Sequence, residues 1–321
     1  MMTYISVVIP VYNEYESLPS LHENVMRVLS ELDIIWEIIY IDDGSTDDST
    51  AILLDLQANS PNIIVAVQRR NFGKSLALNV GFALAQGEIL ITMDADLQDE
   101  PEEIPNLLAK LEEGYDVVSG WKQARQDPIS KTLPSKVANT TTAALTGVRL
   151  HDMNSGFKAY RTDCVRKLSL YGDLHRFIPA LAHEAGFRVT EIPVRHHQRK
   201  FGRSKYGPGR LVSSGFDLLT VVFLGQYRRR PLHLFGGAGA LFLVAGLLIN
   251  LYLTIAWFGG EALSTRPALI LGVLLMVMGV QLLTIGLLAE LLVSHIQRNE
   301  EPLNTVKIVH RGTETPQRET P

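Results

Sequence analysis

Three acidic stretches stand where hydrophobic runs end: Glu14 in Pro10-Val11-Tyr12-Asn13-Glu14, Asp42 and Asp43 in Asp42-Asp43-Gly44-Ser45, and Asp94 and Asp96 in Asp94-Ala95-Asp96-Leu97-Gln98. One acidic turn alone is commonly a helix cap or a solvated loop. Three at successive strand ends would line one cleft, because parallel strands present their carboxyl ends together. Asp94 and Asp96, with the amide oxygen of Gln98 behind them, can share a hard divalent ion, Mg2+ or Mn2+, itself held on substrate phosphates. Such an ion, with Lys or Arg nearby, would take up the negative charge that develops on a departing phosphate. His196 and His197 lack a second histidine at ligand spacing and are read as loop residues.

The elements that must position these groups alternate between two hydrophobic periods. Apolar, largely β-branched runs at Ile5 to Ile9, Ile38 to Ile41, Ile63 to Val67, Ile89 to Met93 and Val117 to Val118 read as strands. Longer stretches between them, including Ser17 to Leu32 and Ser45 to Ala58, read as helices, the second with a capping box of Ser45 and Asp48. This is an α/β pattern with a mainly parallel sheet. Other nucleotide motifs fail: Asn71-Phe72-Gly73-Lys74-Ser75 has the end of a P-loop but Gln68 where its first glycine belongs, and no Gly-x-Gly-x-x-Gly follows a strand. The formal charge of -4 supplies no global positive field, so nucleic acid is excluded as a partner. The single cysteine, Cys164, cannot form an internal disulfide and reads as a small buried hydrophobe.

Mean hydropathy is +0.10 although 20% of residues are charged, so the apolar residues must be concentrated somewhere. They lie in two uncharged runs, Leu234 to Phe258 and Pro267 to Ala289, each about 35 Å long as a helix and able to cross a bilayer. Arg228, Arg229 and Arg230 precede the first run, which by the positive-inside tendency keeps the large N-terminal region in the cytoplasm; an even span count returns the C-terminus there. No signal peptide is read at the N-terminus. Gly272, Gly279 and Gly286, at steps of seven, offer a face that another helix can approach closely, a homo-oligomer being one such arrangement. Leu211 to Phe223 read as a helix along the membrane surface, and the polar tail after Arg298 as flexible.

Taken in order, Val8-Ile9-Pro10-Val11-Tyr12-Asn13-Glu14, Asp42-Asp43-Gly44-Ser45-Thr46-Asp47, Asn71-Phe72-Gly73-Lys74, Asp94-Ala95-Asp96-Leu97-Gln98, Ser155-Gly156-Phe157-Lys158 and Arg199-Lys200-Phe201-Gly202-Arg203-Ser204-Lys205-Tyr206 resemble the family 2 inverting glycosyltransferases of GT-A fold. Within that family they resemble the polyprenyl-phosphate glycosyltransferases related to dolichol-phosphate mannose synthase, and the paired C-terminal spans resemble its bacterial branch. The resemblance implies that Pro10, Tyr12, Glu14 and Asp43 hold the nucleoside, with Gly73, Lys74 and Asp94 beside it. It implies that Asp94, Asp96 and Gln98 bind the metal on the diphosphate, and that Arg199, Ser204 and Lys205 belong to a loop closing over the donor. The acceptor phosphate would meet Lys122, Arg125, Lys131, Ser135 and Lys136; lysine at 122 and 131 keeps the charge that the pattern requires but loses the bidentate fork of arginine. As a surface, the same cations could simply face solvent or anionic lipid.

A lipid monophosphate has a second pKa of about 6, so it arrives ionised and scarcely needs a general base. Asp152, before Asn154-Ser155-Gly156, is the best carboxylate for orienting acceptor or sugar, and Asp96 and Asp152 are the expected catalytic pair. The expected reaction carries a sugar, glucose first and mannose or an aminosugar next, from a UDP- or GDP-sugar to undecaprenyl or dolichyl phosphate with inversion. The rivals are a processive polysaccharide synthase, whose Gln-x-x-Arg-Trp is missing, and an inactive nucleotide-sugar-binding scaffold, which would lack Asp94 and Asp96. The expected layout is a GT-A domain over 1–208, an amphipathic juxtamembrane helix over 209–230, a two-helix transmembrane anchor over 231–298 and a flexible tail over 299–321. Such a chain would sit in the inner (plasma) membrane as a multi-pass protein, with both the catalytic domain and the C-terminus cytoplasmic.

Overall fold

The computed structural model describes residues 4–123, 142–143, 146–168, 170–197, 231–260, 267–296 and 306–311. The chain divides into two compact units, Met1–Val221 with Glu301–Pro321, and Val222–Glu300.

In the first unit, strands β1 (Tyr4–Val11), β2 (Ile35–Asp42), β3 (Ile63–Gln68) and β4 (Ile89–Thr92) alternate with helices α1 (Leu18–Glu31), α2 (Ser49–Ala58) and α3 (Lys74–Leu84). After β4 come α4 (Ile104–Glu112), β5 (Val117–Lys122), β6 (Lys158–Arg161), a 3-10 turn at Leu174–Phe177 that runs into α5 (Ile178–Glu184), and β7 (Val189–Val194). With the late strand β8 (Val306–Arg311) they form one sheet in the order β7-β5-β6-β4-β1-β2-β3-β8. β4, β1, β2 and β3 are parallel neighbours. This order is what positions the site, because it sets the carboxyl ends of these four strands side by side.

Burial follows the expected periods. The strand residues Ile5, Val7 and Ile9 turn one face of the sheet onto Leu18, Leu21, Val25, Val28 and Leu29 of α1, whose spacing of three and four builds a single apolar stripe. On the other face α3 approaches β1 so closely that a Cβ on Gly81 would lie 2.2 Å from Val8 Cγ1. Cys164 is buried, and burial pushes its thiol up to about 12, consistent with a packing role.

Three strands go beyond the five read from sequence. β6 is antiparallel to both β4 and β5, and its Lys158 and Arg161 hide a buried strand from a hydrophobic pattern. β7 carries Glu191 and Pro193, which an edge strand tolerates. β8 corrects the flexible-tail expectation for its six residues: they pair antiparallel with β3 and cover what would be an open sheet edge. The capping-box expectation is also corrected. Helix α2 begins at Ser49, and the Ser45 hydroxyl instead accepts the Asn13 backbone N–H at 3.0 Å.

The second unit is a hairpin of α6 (Pro231–Phe258) and α7 (Pro267–Ile296). The stretches Phe235–Phe258 and Pro267–Ala289, with mean hydropathy 2.1 and 2.5, are long and apolar enough to cross a membrane. Leu241, Leu248, Tyr252, Ile270 and Val280 face outward, as lipid-facing side chains would. Gly272 and Gly279 face the partner helix of the same chain. A Cβ on Gly279 would lie 2.6 Å from the Gly239 carbonyl oxygen, and one on Gly246 would lie 2.5 Å from that of Gly272. Residues 209–230, expected as a surface helix, lie outside the described residues.

Candidate active site

The loops after β1 and β2 are stitched together by side chains that the sequence offers for turns. Asn13, in the left-handed region at φ 52°, accepts the Thr46 N–H on Oδ1 at 2.8 Å, and the Glu14 N–H donates to the Ser49 hydroxyl at 2.9 Å. Buried Asp42 accepts the Ser45 N–H at 2.9 Å and the Thr50 hydroxyl, holding the turn from inside. Gly44 has φ +69°, and a Cβ there would lie 2.4 Å from the Arg70 carbonyl carbon, so only glycine lets this turn lie on the chain after β3. Asp43 reaches across the same gap. Its Oδ1 accepts the Phe72 N–H at 2.8 Å and its Oδ2 the Gly73 N–H at 2.9 Å. Burial pushes the Asp43 carboxyl above its ordinary range, the two N–H groups pull it back, and Asp42 adds to the rise. Pro10 and Tyr12, half-buried at the end of β1, complete this wall with Gly73 and Lys74 at the start of α3.

The third acidic loop is tied to the first through one hydroxyl: Ser17 Oγ lies 2.9 Å from the Glu14 carbonyl oxygen and 2.6 Å from that of Ala95. Asp94 is ion-paired with Lys74. Behind it, a Cβ on Gly156 would lie 2.6 Å from Asp94 Oδ2, and the Thr92 hydroxyl donates to the Gly156 carbonyl at 2.8 Å. Asp96 is buried and accepts the Gln98 N–H at 3.2 Å, while Leu97 between them is held at φ 58°. A leucine in the left-handed region costs roughly 1–2 kcal/mol, a local cost that surrounding contacts must offset.

Among the described residues no three His, Cys, Asp or Glu side chains converge as a closed metal cage. Mg2+ and Mn2+ on a nucleotide do not require one, since one or two carboxylates plus substrate phosphate oxygens complete the shell. The hard-oxygen donors Asp94 and Asp96 fit such an ion, and the Lys74 ammonium against Asp94 marks where positive charge is stable. Gln98 is close by, with its Nε2 donating to the His197 carbonyl at 3.2 Å.

A second group of charges lies toward β5 and β6. Lys122 Nζ is 3.2 Å from Oδ1 of the fully buried Asp99 side chain, and His196 Nδ1 is 3.5 Å from the same oxygen. Burial opposes the charge on Lys122, but Asp99, Asp94 and Asp152 outweigh it and raise its pKa. Burial likewise opposes the charge on Asp99, and Lys122 and His196 more than reverse this, holding the carboxyl well below its usual range. Lys158 is almost fully buried, with Nζ donating to the Ser155 carbonyl. Its burial, then Lys74 and Lys122, bring its pKa down to about 7 against Asp152 and Asp94. Asp152 is buried beside His151, whose N–H donates to Glu191 Oε2 at 2.8 Å and whose ring stacks on Trp121 at 4.1 Å.

The structure thus brings together Pro10, Tyr12, Glu14, Asp43, Gly73, Lys74, Asp94, Asp96 and Gln98 at adjacent strand ends, with Lys122 at the end of the neighbouring strand β5 and Asp152 in the loop before β6. Arg125, Lys131, Ser135, Lys136, Arg199, Ser204 and Lys205 lie outside the described residues. Sequence reasoning missed Ser17, Asp99, Lys158 and Glu191. Asp99 directly follows Gln98, and Lys158 closes the Ser155-Gly156-Phe157-Lys158 stretch, so both carried a positional signal.

The profile of Glycosyl transferase family 2 matches residues 6–169. Dodecaprenyl-phosphate galacturonate synthase from Rhizobium johnstonii is 36% identical over 310 residues, covering 94% of this chain and 91% of the relative. Undecaprenyl-phosphate 4-deoxy-4-formamido-L-arabinose transferase from Klebsiella pneumoniae is 39% identical over 296 residues, covering 90% of each. In fold, the chain is similar to mannosyl-3-phosphoglycerate synthase from Rubrobacter xylanophilus, with TM-score 0.56 and 13% identity over 70% of this chain and 75% of the other. It is also similar to glucosyl-3-phosphoglycerate synthase from Mycobacterium tuberculosis crystallised with Mn2+ and UDP-glucose, with TM-score 0.51 and 22% identity over 69% and 78%. With acidic loops converging at the strand ends of this fold, and relatives of this identity along nearly the whole chain, the protein belongs to glycosyltransferase family 2 and is a glycosyltransferase.

Proposed function

We propose that the chain transfers one sugar from a nucleoside-diphosphate sugar, UDP- or GDP-linked, to a polyprenyl phosphate with inversion at the anomeric carbon. The observation that carries this reading is the placing of Asp94, with Lys74 upon it, and Asp96 beside the Asp43–Gly73 wall. The wall takes the nucleoside, and the acidic loop faces the place of the diphosphate. Asp94 and Asp96, with Gln98, would hold Mg2+ or Mn2+, which supplies electrostatic stabilisation of the leaving diphosphate. The acceptor phosphate oxygen attacks the anomeric carbon from the side opposite the diphosphate; the bond from that carbon to the diphosphate oxygen breaks, and the electron pair leaves with the nucleotide. Lys74 moves from Asp94 to the diphosphate, where its ammonium faces the developing charge. Asp152 orients the sugar or the acceptor, fixed through the Glu191–His151 contacts.

The apolar hairpin anchors the cleft at a bilayer, where a water-insoluble acceptor presents only its phosphate, and so raises the effective concentration of one reactant against the other. Pairing of β8 with β3 supports placing the catalytic unit and the tail on one side of the membrane, as two spans require. With Arg228, Arg229 and Arg230 at the entrance to the first span, that side is the cytoplasm and the membrane is the inner one. The sugar is glucose, mannose or an aminosugar, with a uronate added because the relatives above are named for galacturonate and 4-deoxy-4-formamido-L-arabinose.

The test is a two-stage assay on the purified full chain. Thermal shift with Mn2+ and a panel of UDP-, GDP- and dTDP-sugars selects the donor, since a ligand at a hundred times its Kd stabilises by about 2.7 kcal/mol. Transfer of the labelled sugar to undecaprenyl phosphate then yields a lipid-soluble monosaccharide. An insoluble polymer, or no product with any stabilising donor, would sink the reading.

A further inference from the structure

Asp99 is 3% exposed as a residue and its side chain not at all, yet among the described residues neither carboxylate oxygen accepts a hydrogen bond. A buried carboxylate in that state is sustained only by cations. One converges on Oδ1, Lys122 from the end of β5 at 3.2 Å, and the His196 imidazole from the segment after β7 lies 3.5 Å from the same oxygen. The backbone makes the same link. Asp99 and His196 form an isolated antiparallel bridge, the His197 N–H donates to the Gln98 carbonyl at 2.9 Å, and Gln98 Nε2 returns a bond to His197 at 3.2 Å. Glu100 and Glu103 face Arg195 at 3.8 and 3.9 Å, and Glu100 faces the His197 ring at 3.6 Å, extending the contact along the same two segments.

We infer that Asp99 is a positioning residue for the acceptor subsite: its carboxylate holds the Lys122 ammonium in place between the metal-binding loop and Asp152, where it receives the phosphate of the lipid acceptor. The inference rests on the polyprenyl-phosphate reading and deepens it. Lysine is a flexible point charge with three donors and four rotatable carbons. The ion pair with Asp99 fixes the stem and leaves the ammonium geometry for an arriving phosphate set in advance, which removes an ordering cost from binding. Asp99 itself touches neither substrate, so its loss acts through Lys122. The clasp with His196 gives the carboxylate a wall on its other side, and the short path from Gln98 to Asp99 keeps Lys122 at a constant distance from the metal-binding loop. An Asp99 that served only as a core ion pair would disturb donor and acceptor binding alike. A positioning Asp99 separates them.

The experiment uses the full chain in detergent and two probes: undecaprenyl phosphate, read by native mass spectrometry against undecaprenol as the uncharged control, and UDP with Mn2+, read by calorimetry. Asp99→Asn is expected to weaken undecaprenyl phosphate about ten-fold and leave UDP with Mn2+ within two-fold. Lys122→Met is expected to weaken undecaprenyl phosphate at least as much, and the double variant no more than Lys122→Met alone, because the two act in one path. Should Asp99→Asn not fold, Asp99→Glu carries the test: it keeps the charge but moves the ammonium by one methylene, and a several-fold loss of undecaprenyl phosphate alone is the expected result. Acceptor binding at the wild-type level in the variant that folds, equal losses for both probes, or additive losses in the double variant would overturn the role of Asp99. Equal binding of undecaprenyl phosphate and undecaprenol by the unmutated protein would instead overturn the acceptor reading, and this inference with it.

Discussion

Gly156 and Asp94 meet so closely that a methyl group on the glycine would lie 2.6 Å from the carboxylate oxygen Oδ2, with Oδ1 and Cγ both at 2.7 Å. The two come from antiparallel neighbours, since Asp94 follows β4 and Gly156 precedes β6, and the Thr92 hydroxyl bonded to the Gly156 carbonyl keeps the loops from parting. The glycine is therefore the back wall of the proposed metal site. Gly156→Ala must push the Asp94 side chain forward, onto Lys74 and into the space meant for the diphosphate. A displacement of this kind costs about 100-fold in turnover when it misplaces a group at the reacting centre. The expected result is that loss, with UDP binding weakened in Mn2+ and little changed in EDTA. Turnover within a few-fold of the unmutated enzyme would show that Asp94 does not work from this position.

Lys158 gives the molecule a pH dependence whose sign can be worked out. Its pKa falls from 10.5 to about 7, first through burial and then through Lys74 and Lys122, against Asp152 and Asp94. Below pH 7 both folded and unfolded chains carry the proton, and the folded state bears the full cost of the buried charge. Between pH 7 and 10.5 the unfolded chain binds more protons than the folded one, so this group makes stability rise with pH. Above that window it contributes no slope. Lys158→Met removes the term, so the urea midpoint of the wild type should climb relative to the variant between pH 7 and 9. A constant difference across that range would show that Lys158 does not release its proton there.

Much of this arrangement is legible in the residues themselves. The four parallel strands announce themselves because Ile5 to Ile9, Ile38 to Ile41, Ile63 to Val67 and Ile89 to Met93 are buried almost throughout and read as apolar runs broken only by Ser6 and Thr92. The acidic loops are legible because each directly follows such a run. β6 is not, since Lys158 and Arg161 stand in a strand only four residues long, and burial of Lys158 depends on charges that come from distant positions. Ser45 misleads for a related reason. Ser-x-x-Asp before a helix looks like a local cap, yet the hydroxyl is taken by Asn13, thirty-two positions away, and the helix starts later. Asp99 hides in the same way, as one more acid until β5 and the chain after β7 close on it. Periodicity records what a segment does by itself; these residues act through partners that only the tertiary fold supplies.

The hairpin offers a reciprocal test. Gly239 and Gly279 each sit against the other's carbonyl oxygen, at 2.7 and 2.6 Å from where a Cβ would stand; further along, Gly246 lies against the Gly272 carbonyl, and Gly272 against the Asn250 side chain. In lipid, such close backbone packing is a main source of helix association, because no water is left to expel. Gly279→Leu is expected to part α6 from α7 and lower the thermal midpoint of the hairpin, followed by tryptophan fluorescence of Trp257. Gly239→Leu should do the same, and the double variant should lose less than the sum, since the first substitution has already opened the shared contact. Additive losses would mean that the two glycines pack against different surfaces.

The strand at the C-terminal end tests whether the tail is part of the catalytic sheet. In β8, Val309 stands opposite Ala66 and Ile308 opposite Val67, one residue before the irregularity at Gln68 and a few positions before the Asn71–Gly73 turn that Asp43 holds. β3 would otherwise be an open edge beside the proposed nucleoside wall, and an open edge invites pairing with other chains. Val309→Pro removes an amide donor and imposes a φ near -65°, so the strand cannot continue through that position. The variant should show a lower thermal midpoint for the catalytic unit, concentration-dependent aggregation, and faster hydrogen exchange along β3, with Val65 and Ala66 the most affected. Because the Asp43 turn leans on the chain after β3, binding of UDP with Mn2+ should weaken by several-fold as well. Exchange along β3 as slow in the proline variant as in the original protein would mean that the tail does not protect this edge, and the same-side placement of tail and catalytic unit would lose its structural support.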